Sequence, residues 1–555
     1  MMTEYLDNIK DIVLNYYKDN KPTIDNIEHV IVLISILYGL KKLGKITDIK
    51  NTVLNSVWRY AKYITPNYYK KVQDEIKTEV EKIILENFPA IDGIQDQYEL
   101  PKLGLDNESI LNRLTLLHQH DINPKEGKLF AYCYPTNEKH EDVVIKAHNM
   151  FVHLNALNPL AFQSLRRMEV EVVQMSINML NGDSNCCGTL TTGGTESLLM
   201  ALKAYRDMAK DLHNITEPEV VLSITAHPAI EKGAKYFGIK LRYVSLLADQ
   251  DYKVNLSEFK SKINSNTILL IASAPQYPHG VMDPISDIAA LAKKFKKPLH
   301  IDACIGGFFL PFLEKLGYPV EKFDFRVPEV TSISADIHKY GYATKGSSVL
   351  LFSKESIRKY QFTSYTGWPG GLFVSPSMLG TRSGGNIAAA WASLVSMGEQ
   401  GLSGYVSKIM KTALSIQKSI KEELSQDIRL IGSPVMSIIS CVSVNSSLNI
   451  HCVSDVMQSR YGWRLERQHK PNSIHMTLSI SHIGIEHKFI SNLKECVQEV
   501  LENPQKYANQ GSAAMYNGIQ NIPITKIADE FLLEFLSKTY TQNPTIIQKP
   551  DLTLQ

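Results

Sequence analysis

At ~150 residues per domain, a chain of 555 residues holds about three to four domains, and its 44% hydrophobic and 21% charged content is ordinary globular material. That composition excludes a largely disordered, collagenous or polytopic membrane protein. Fifty-nine Lys and Arg against 57 Asp and Glu leave a net charge of +2, too weak a field to hold nucleic acid non-specifically.

The N-terminus, Met1-Met2-Thr3-Glu4, lacks the basic start and small-residue cleavage site of a secretory signal. Seven scattered cysteines without a C-x-x-C pair argue against a zinc ribbon or a disulfide scaffold, so a reducing compartment and no metal site are expected. The charge-free run from Val30 to Leu40 spans 11 residues. As a helix it would be ~16 Å long against a hydrocarbon core of ~30 Å, so alone it cannot cross. Followed by Lys41, Lys42 and Lys45, it suits either contact with an anionic membrane surface or a packed helix with a solvated face.

Residues 1–110 read as a helical N-terminal extension, broken near its end by Pro89, Gly93 and Pro101. From 111 to 390, short apolar β-branched runs alternate with helical stretches, which predicts an α/β domain with a mostly parallel sheet flanked by helices. Strands are expected at Val220 to Ile224, Thr267 to Ala272, Leu299 to Ile301, Thr331 to Ser334 and Ser348 to Phe352. A crossover helix is expected over Asp283 to Phe295, with Asp283 and Pro284 as N-cap and first-turn signals. Residues 391–510 read as a smaller C-terminal α+β domain with half-solvated strands at Ser437 to Val444 and Ser473 to Ser479. In 511–555, one helix over Ile527 to Leu536 precedes a Pro-containing tail expected to be poorly ordered.

Three segments carry chemistry. In Thr192-Gly193-Gly194-Thr195-Glu196-Ser197, two glycines open a helical pattern, and such a turn can hold a phosphate on unpaired amides; taken alone it is equally a capped glycine turn. His300-Ile301-Asp302 delivers a carboxylate at a strand end, where an Asp is often no more than a cap. Ser332 to Gly341 ends another strand in a polar turn bearing His338 and Lys339. Their order on one sheet is what pyridoxal 5'-phosphate requires. Gly194 and Thr195 would hold its phosphate, with a further contact from His338. Lys339 would bind the aldehyde through an amine tuned towards neutrality, Asp302 would keep the pyridine nitrogen protonated, and His227, just past a strand, would lie over the ring.

The segments TTGGTES, HIDACIGGF, SISADIHKYGYATKGSS, SAPQYPHGVMDP, GTRSGG and NALNPLAFQSLR together resemble the sphingosine-1-phosphate lyase family, a branch of the group II pyridoxal-phosphate decarboxylases with the fold-type-I transferase architecture. The resemblance implies retro-aldol cleavage of phosphorylated sphingoid bases to a fatty aldehyde and phosphoethanolamine, with amino-acid decarboxylation on the same fold as the alternative. It implies a homodimer in which Gly380 and Thr381 of the second subunit complete the phosphate site, with Arg382 beside it. It implies roles in substrate binding and cleavage for Tyr134 and Lys345, without dividing the proton transfers between them. Asn158 stands where the family usually has a histidine that touches the substrate phosphate. Eukaryotic members are anchored in the endoplasmic reticulum membrane with the site facing the cytosol; the shorter apolar run here leaves a soluble form open.

Overall fold

The computed structural model describes residues 66–88, 96–507 and 525–541, with the single positions 55, 58, 63, 91 and 94. The apolar run at 30–40, the breaks at Pro89 and Gly93, and the tail beyond 541 lie outside the described residues. By internal contact the described residues form two units, one up to Asp121 together with the C-terminal helix Thr525–Thr539, the other from Ile122 to Tyr507. In the first unit, helix Pro66–Asn87 turns Val72, Ile76, Val80 and Ile84 towards Ile527, Phe531 and Phe535, a spacing of four that forms one helical stripe on each helix. Lys538 pairs with Glu81 at 2.9 Å beside that seam. Among the described residues no helix is long and apolar enough to cross a membrane.

The second unit is built on a seven-stranded sheet: β1 (Cys187–Thr191), β2 (Glu219–Ser223), β3 (Lys240–Val244), β4 (Thr267–Ser273), β5 (Leu299–Asp302), β6 (Val330–Ala335) and β7 (Ser348–Phe352). Its order is β1-β7-β6-β5-β4-β2-β3, with β7 antiparallel to both neighbours and every other pairing parallel. β2, β4, β5 and β7 are buried along their whole length, which is why the centres of β2, β4 and β7 are runs of Val, Ile and Leu without alternation. Because β1 and β6 both oppose β7, the C-terminal ends of β1, β2, β4, β5 and β6 share one edge. In an open α/β sheet, that edge is where ligands bind.

The crossover helix begins at Ile285, two residues later than its signals suggest, and Pro284 makes no side-chain cap. Asp283 turns back instead, accepting the N–H of Ser273 at 2.8 Å, and burial lifts its carboxyl to about 7. β1 and β3 are strands that the sequence reading did not mark. The four-stranded antiparallel sheet β8 (Ile428–Leu430), β9 (Ile438–Ser443), β10 (Glu466–Gln468) and β11 (Ser473–Thr477) runs in the order β8-β9-β11-β10. β9 and β11 are buried rather than half-solvated as their alternation suggests. Polar positions of this sheet find partners inside: His475 Nδ1–H of β11 and Gln468 Nε2–H of β10 both donate to the carbonyl of Pro278, in the loop that follows β4.

Candidate active site

Four strand ends supply the site. After β1, the chain passes Gly193 at φ +147°, a conformation open to glycine, and enters helix Gly194–His213. After β2 comes His227, whose Nδ1 accepts the Ala229 N–H at 3.1 Å. β5 ends in Asp302, 7% exposed, whose Oδ1 accepts the Cys304 N–H at 3.1 Å. β6 leads into Asp336, His338 and Lys339. Gly193, Gly194, Thr195, His227, Cys304, His338 and Lys339 line a single cavity of about 520 Å³, within the range of small-ligand pockets.

The Lys339 ammonium lies 2.9 Å from Asp336 Oδ2, with the two side chains only 22% and 3% exposed. Burial alone would lower the lysine's pKa, but Asp336, Cys304 and Asp302 together hold it above its ordinary value. This corrects the expectation of an amine tuned towards neutrality: the buried counter-charge of Asp336 outweighs the desolvation of the amine. Burial pushes Asp336 the other way, yet Lys339 and His338 keep its carboxyl below the usual range. Asp336 stands three residues before Lys339 in a segment already singled out, but nothing in the local pattern shows that it points at the amine.

His338 Nδ1–H donates to the carbonyl of Ser347 at 2.8 Å, and Nε2 lies 3.8 Å from Asp336 Oδ2. Burial lowers the pKa of both His338 and His227, so both rings favour the neutral form, His227 with a flat face to offer. Tyr134 packs edge-on against Tyr340 at 5.0 Å, and the Lys345 ammonium lies 5.0 Å from the centre of the Tyr134 ring while donating to the carbonyl of Tyr132. These two residues, 211 apart in sequence, are therefore neighbours.

Asp302, Tyr134 and Lys345 are not among the residues that line this cavity, and neither, within one chain, are Asn158, Gly380, Thr381 and Arg382. Asn158 is exposed, and its Oδ1 accepts the N–H groups of Leu160 and Ala161. Gly380 and Thr381 are exposed on the loop that follows Met378 and Leu379. Arg382, expected to touch an anion, is buried and paired with Glu169.

The arrangement fits pyridoxal phosphate. A Cβ on Gly194 would come within 2.8 Å of the Asp336 oxygens and 2.9 Å of Cys304 Sγ, so the backbone approaches the Asp336 carboxyl group closely only because this position is glycine. The first turn of the helix presents amides without intrahelical partners to that space, as a phosphate requires.

Residues 156–441 match the pyridoxal-dependent decarboxylase conserved domain. Sphingosine-1-phosphate lyase 1 of Rattus norvegicus is 40% identical over 481 residues, covering 86% of this chain and 83% of the rat protein. The chain belongs to the sphingosine-1-phosphate lyase family. A solved structure from the family, the Burkholderia pseudomallei sphingosine-1-phosphate lyase, superposes with a TM-score of 0.72 at 33% identity, over 78% of this chain and 99% of that one. The glutamate decarboxylase of Lactobacillus brevis, at 20% identity and a TM-score of 0.63, covers 74% of this chain and 96% of its own, and shares the fold alone. The conserved domain contains His227, Asp302 and Lys339, and Tyr134 lies ahead of it.

Proposed function

We propose that this chain cleaves phosphorylated sphingoid bases such as sphingosine 1-phosphate between the amine-bearing carbon and the neighbouring carbinol carbon, giving a long-chain aldehyde and phosphoethanolamine. The observation that carries this reading is the cavity that joins Lys339, His227 and the glycine cradle at one sheet edge, with Tyr134 and Lys345 stacked on each other nearby. When bound, pyridoxal phosphate supplies the electron sink that lets a bond beside an amine break.

The chain's own groups do the rest. Lys339 would hold the cofactor through its side-chain amine. Asp302 pairs with the pyridine nitrogen, and His227 covers the ring face. Gly194 and Thr195 present amides to the phosphate. His338, whose Nδ1–H is already committed to Ser347, adds a donor there only when its ring is charged. In a homodimer, Gly380 and Thr381 of each chain reach the phosphate held by the other, which accounts for their exposure here, and Asn158 meets the substrate phosphate as a neutral hydrogen-bond donor.

The roles of Tyr134 and Lys345 divide by the direction of their pKa shifts. Burial, reinforced by Tyr277 and Asp336, raises the Tyr134 hydroxyl, which therefore stays protonated and acts as a hydrogen-bond donor to the substrate. The Lys345 side chain is exposed overall, but its ammonium is shielded over the Tyr134 ring. That desolvation, joined by the charge of Lys339, lowers its pKa against the opposing pull of Cys133 and Asp336. Lys345 in its neutral form is then the group that takes the carbinol proton. Turnover should rise with pH as the amine loses its proton. Lys345→Arg should flatten that rise and cost about 10²-fold, within the usual range of general-base catalysis. Tyr134→Phe should lower the rate without moving the profile. A Lys345→Arg enzyme with the native pH–rate curve would reverse the assignment.

Product analysis decides between this reaction and amino-acid decarboxylation. Purified protein with a phosphorylated sphingoid base should yield aldehyde and phosphoethanolamine in equal amounts. Carbon dioxide from glutamate or an aromatic amino acid, without aldehyde from the lipid, would replace the proposal.

A further inference from the structure

Glu196 has no part in the reaction above, yet its side chain is tied at both ends. It is the third residue of helix Gly194–His213 and only 8% exposed. Its Oε2 accepts both the N–H and the Oγ1–H of Thr192, at 2.6 and 2.7 Å, from the residue just ahead of the two glycines. Its Oε1 accepts the N–H of Met378 at 2.9 Å. One carboxyl group thus fastens two stretches 182 residues apart. The first stretch is the cradle that carries Gly194 and Thr195. The second runs directly into Gly380 and Thr381.

The rest of that second stretch has ties of its own: Thr381 Oγ1 accepts Asn155 Nδ2–H at 3.5 Å, and Gln361, which also bonds Thr189 Oγ1 of β1, reaches it. Ser375 Oγ–H reaches the carbonyls of Ser377 and Leu379, and Gln361 Nε2–H reaches that of Pro376. Gly380 has nothing within 4 Å of where a Cβ would stand, and Thr381 is exposed. Glu196 is therefore a direct side-chain link from Thr192 to Met378, made of hydrogen bonds to a carboxylate, the stronger class of such bonds.

We propose that Glu196 is a positioning residue that couples the two cofactor sites of the dimer: filling a chain's own cradle sets the loop which that chain lends to its partner. The inference rests on the dimer with shared phosphate contacts proposed above, and coupling of this kind is reciprocal between the sites.

Two measurements on the full-length chain test it. In the wild-type protein, adding pyridoxal phosphate should slow amide exchange at residues 377–381, and in Glu196→Ala this slowing should vanish. The second measurement uses mixed dimers. A chain carrying both Lys339→Ala and Glu196→Ala is paired with a wild-type chain, so the site able to bond the cofactor has its own Glu196 and receives its loop from the altered chain. Cofactor affinity at that site, followed by the visible absorbance of the Lys339-bound form, should be about tenfold weaker than in a control dimer of Lys339→Ala with wild type, the fold-change of one lost hydrogen bond to a charged group. Equal affinity in the two dimers would overturn the coupling, because a purely local role leaves the partner's site untouched. If Glu196→Ala does not assemble, Glu196→Gln keeps the side chain's size but turns one acceptor into a donor against an N–H or O–H, and the same comparison applies. A wild-type chain that is monomeric or takes up no cofactor would instead remove the underlying reading, a result visible before any variant is made.

Discussion

Lys339→Ala is expected to abolish the visible band of bound cofactor and to reduce lipid cleavage on the order of 10⁴-fold or more, the scale on which removal of a covalent catalyst acts. The same change strips Asp336 of the ammonium 2.9 Å away, leaving a 3%-exposed carboxylate with His338 at 3.8 Å. Breaking one side of a buried ion pair costs up to ~3 kcal/mol here, so the cofactor-free variant should also melt earlier. The sign of the pH dependence follows from the two shifts. Asp336 has a depressed pKa, so its contribution is present above the unfolded carboxyl range and is lost as pH falls through the folded value. Lys339 has a raised pKa, so its contribution is present below the ordinary lysine value and is lost as pH rises through the folded one. The stability gap between native and Lys339→Ala should therefore be widest between those limits and close at either extreme. Lys339→Arg separates chemistry from folding: it keeps a charge for Asp336 and so most of the stability, but cannot bond the aldehyde and should be as inactive as the alanine variant. Either variant retaining the band and native turnover would exclude Lys339 as the attachment point.

Asp302→Asn should leave the cofactor attached and the fold intact while turnover falls on the order of 10²–10³-fold, the usual loss when one preorganised electrostatic group is removed. The amide oxygen can still accept the Cys304 N–H that Asp302 Oδ1 accepts at 3.1 Å, so the turn at the end of β5 keeps its cap. What disappears is the negative charge at the carboxyl edge of the sheet, and with it the means of keeping a pyridine nitrogen protonated. The charge of Asp302 also raises the pKa of His227 against the larger downward push of burial, so the histidine should become harder still to protonate in the variant. Paired measurements of the cofactor band, the melting temperature and turnover check this. Turnover within about threefold of native would assign Asp302 to capping alone, since about 0.7 kcal/mol is less than one charged hydrogen bond contributes.

Much of the site was legible because its pieces are local. A fully buried parallel strand is a short run of β-branched residues, and a strand followed by glycines or a polar turn announces its own C-terminal end. On that basis Gly194, Thr195, His227, Asp302, His338 and Lys339 fell in order on one α/β sheet, and the structure brings them to one edge. The helix caps were less reliable. Asp283 had the spacing of an N-cap, but its side chain is recruited by Ser273 on the neighbouring strand.

By itself the sequence determined the fold class, the order of the candidate cofactor-binding groups and the family, because each depends on residue type within a few positions of a strand or helix end. Only the tertiary structure decided that Asp336 bonds the Lys339 amine, that Lys345 lies on Tyr134, that Glu196 reaches Met378, and that β9 and β11 are covered on both faces. Except for Asp336, a near neighbour whose aim depends on the turn that presents it, these contacts join stretches far apart in the chain. No periodicity of 2 or 3.6 residues records such a meeting, and the strength of each contact comes from the exclusion of water that packing alone provides.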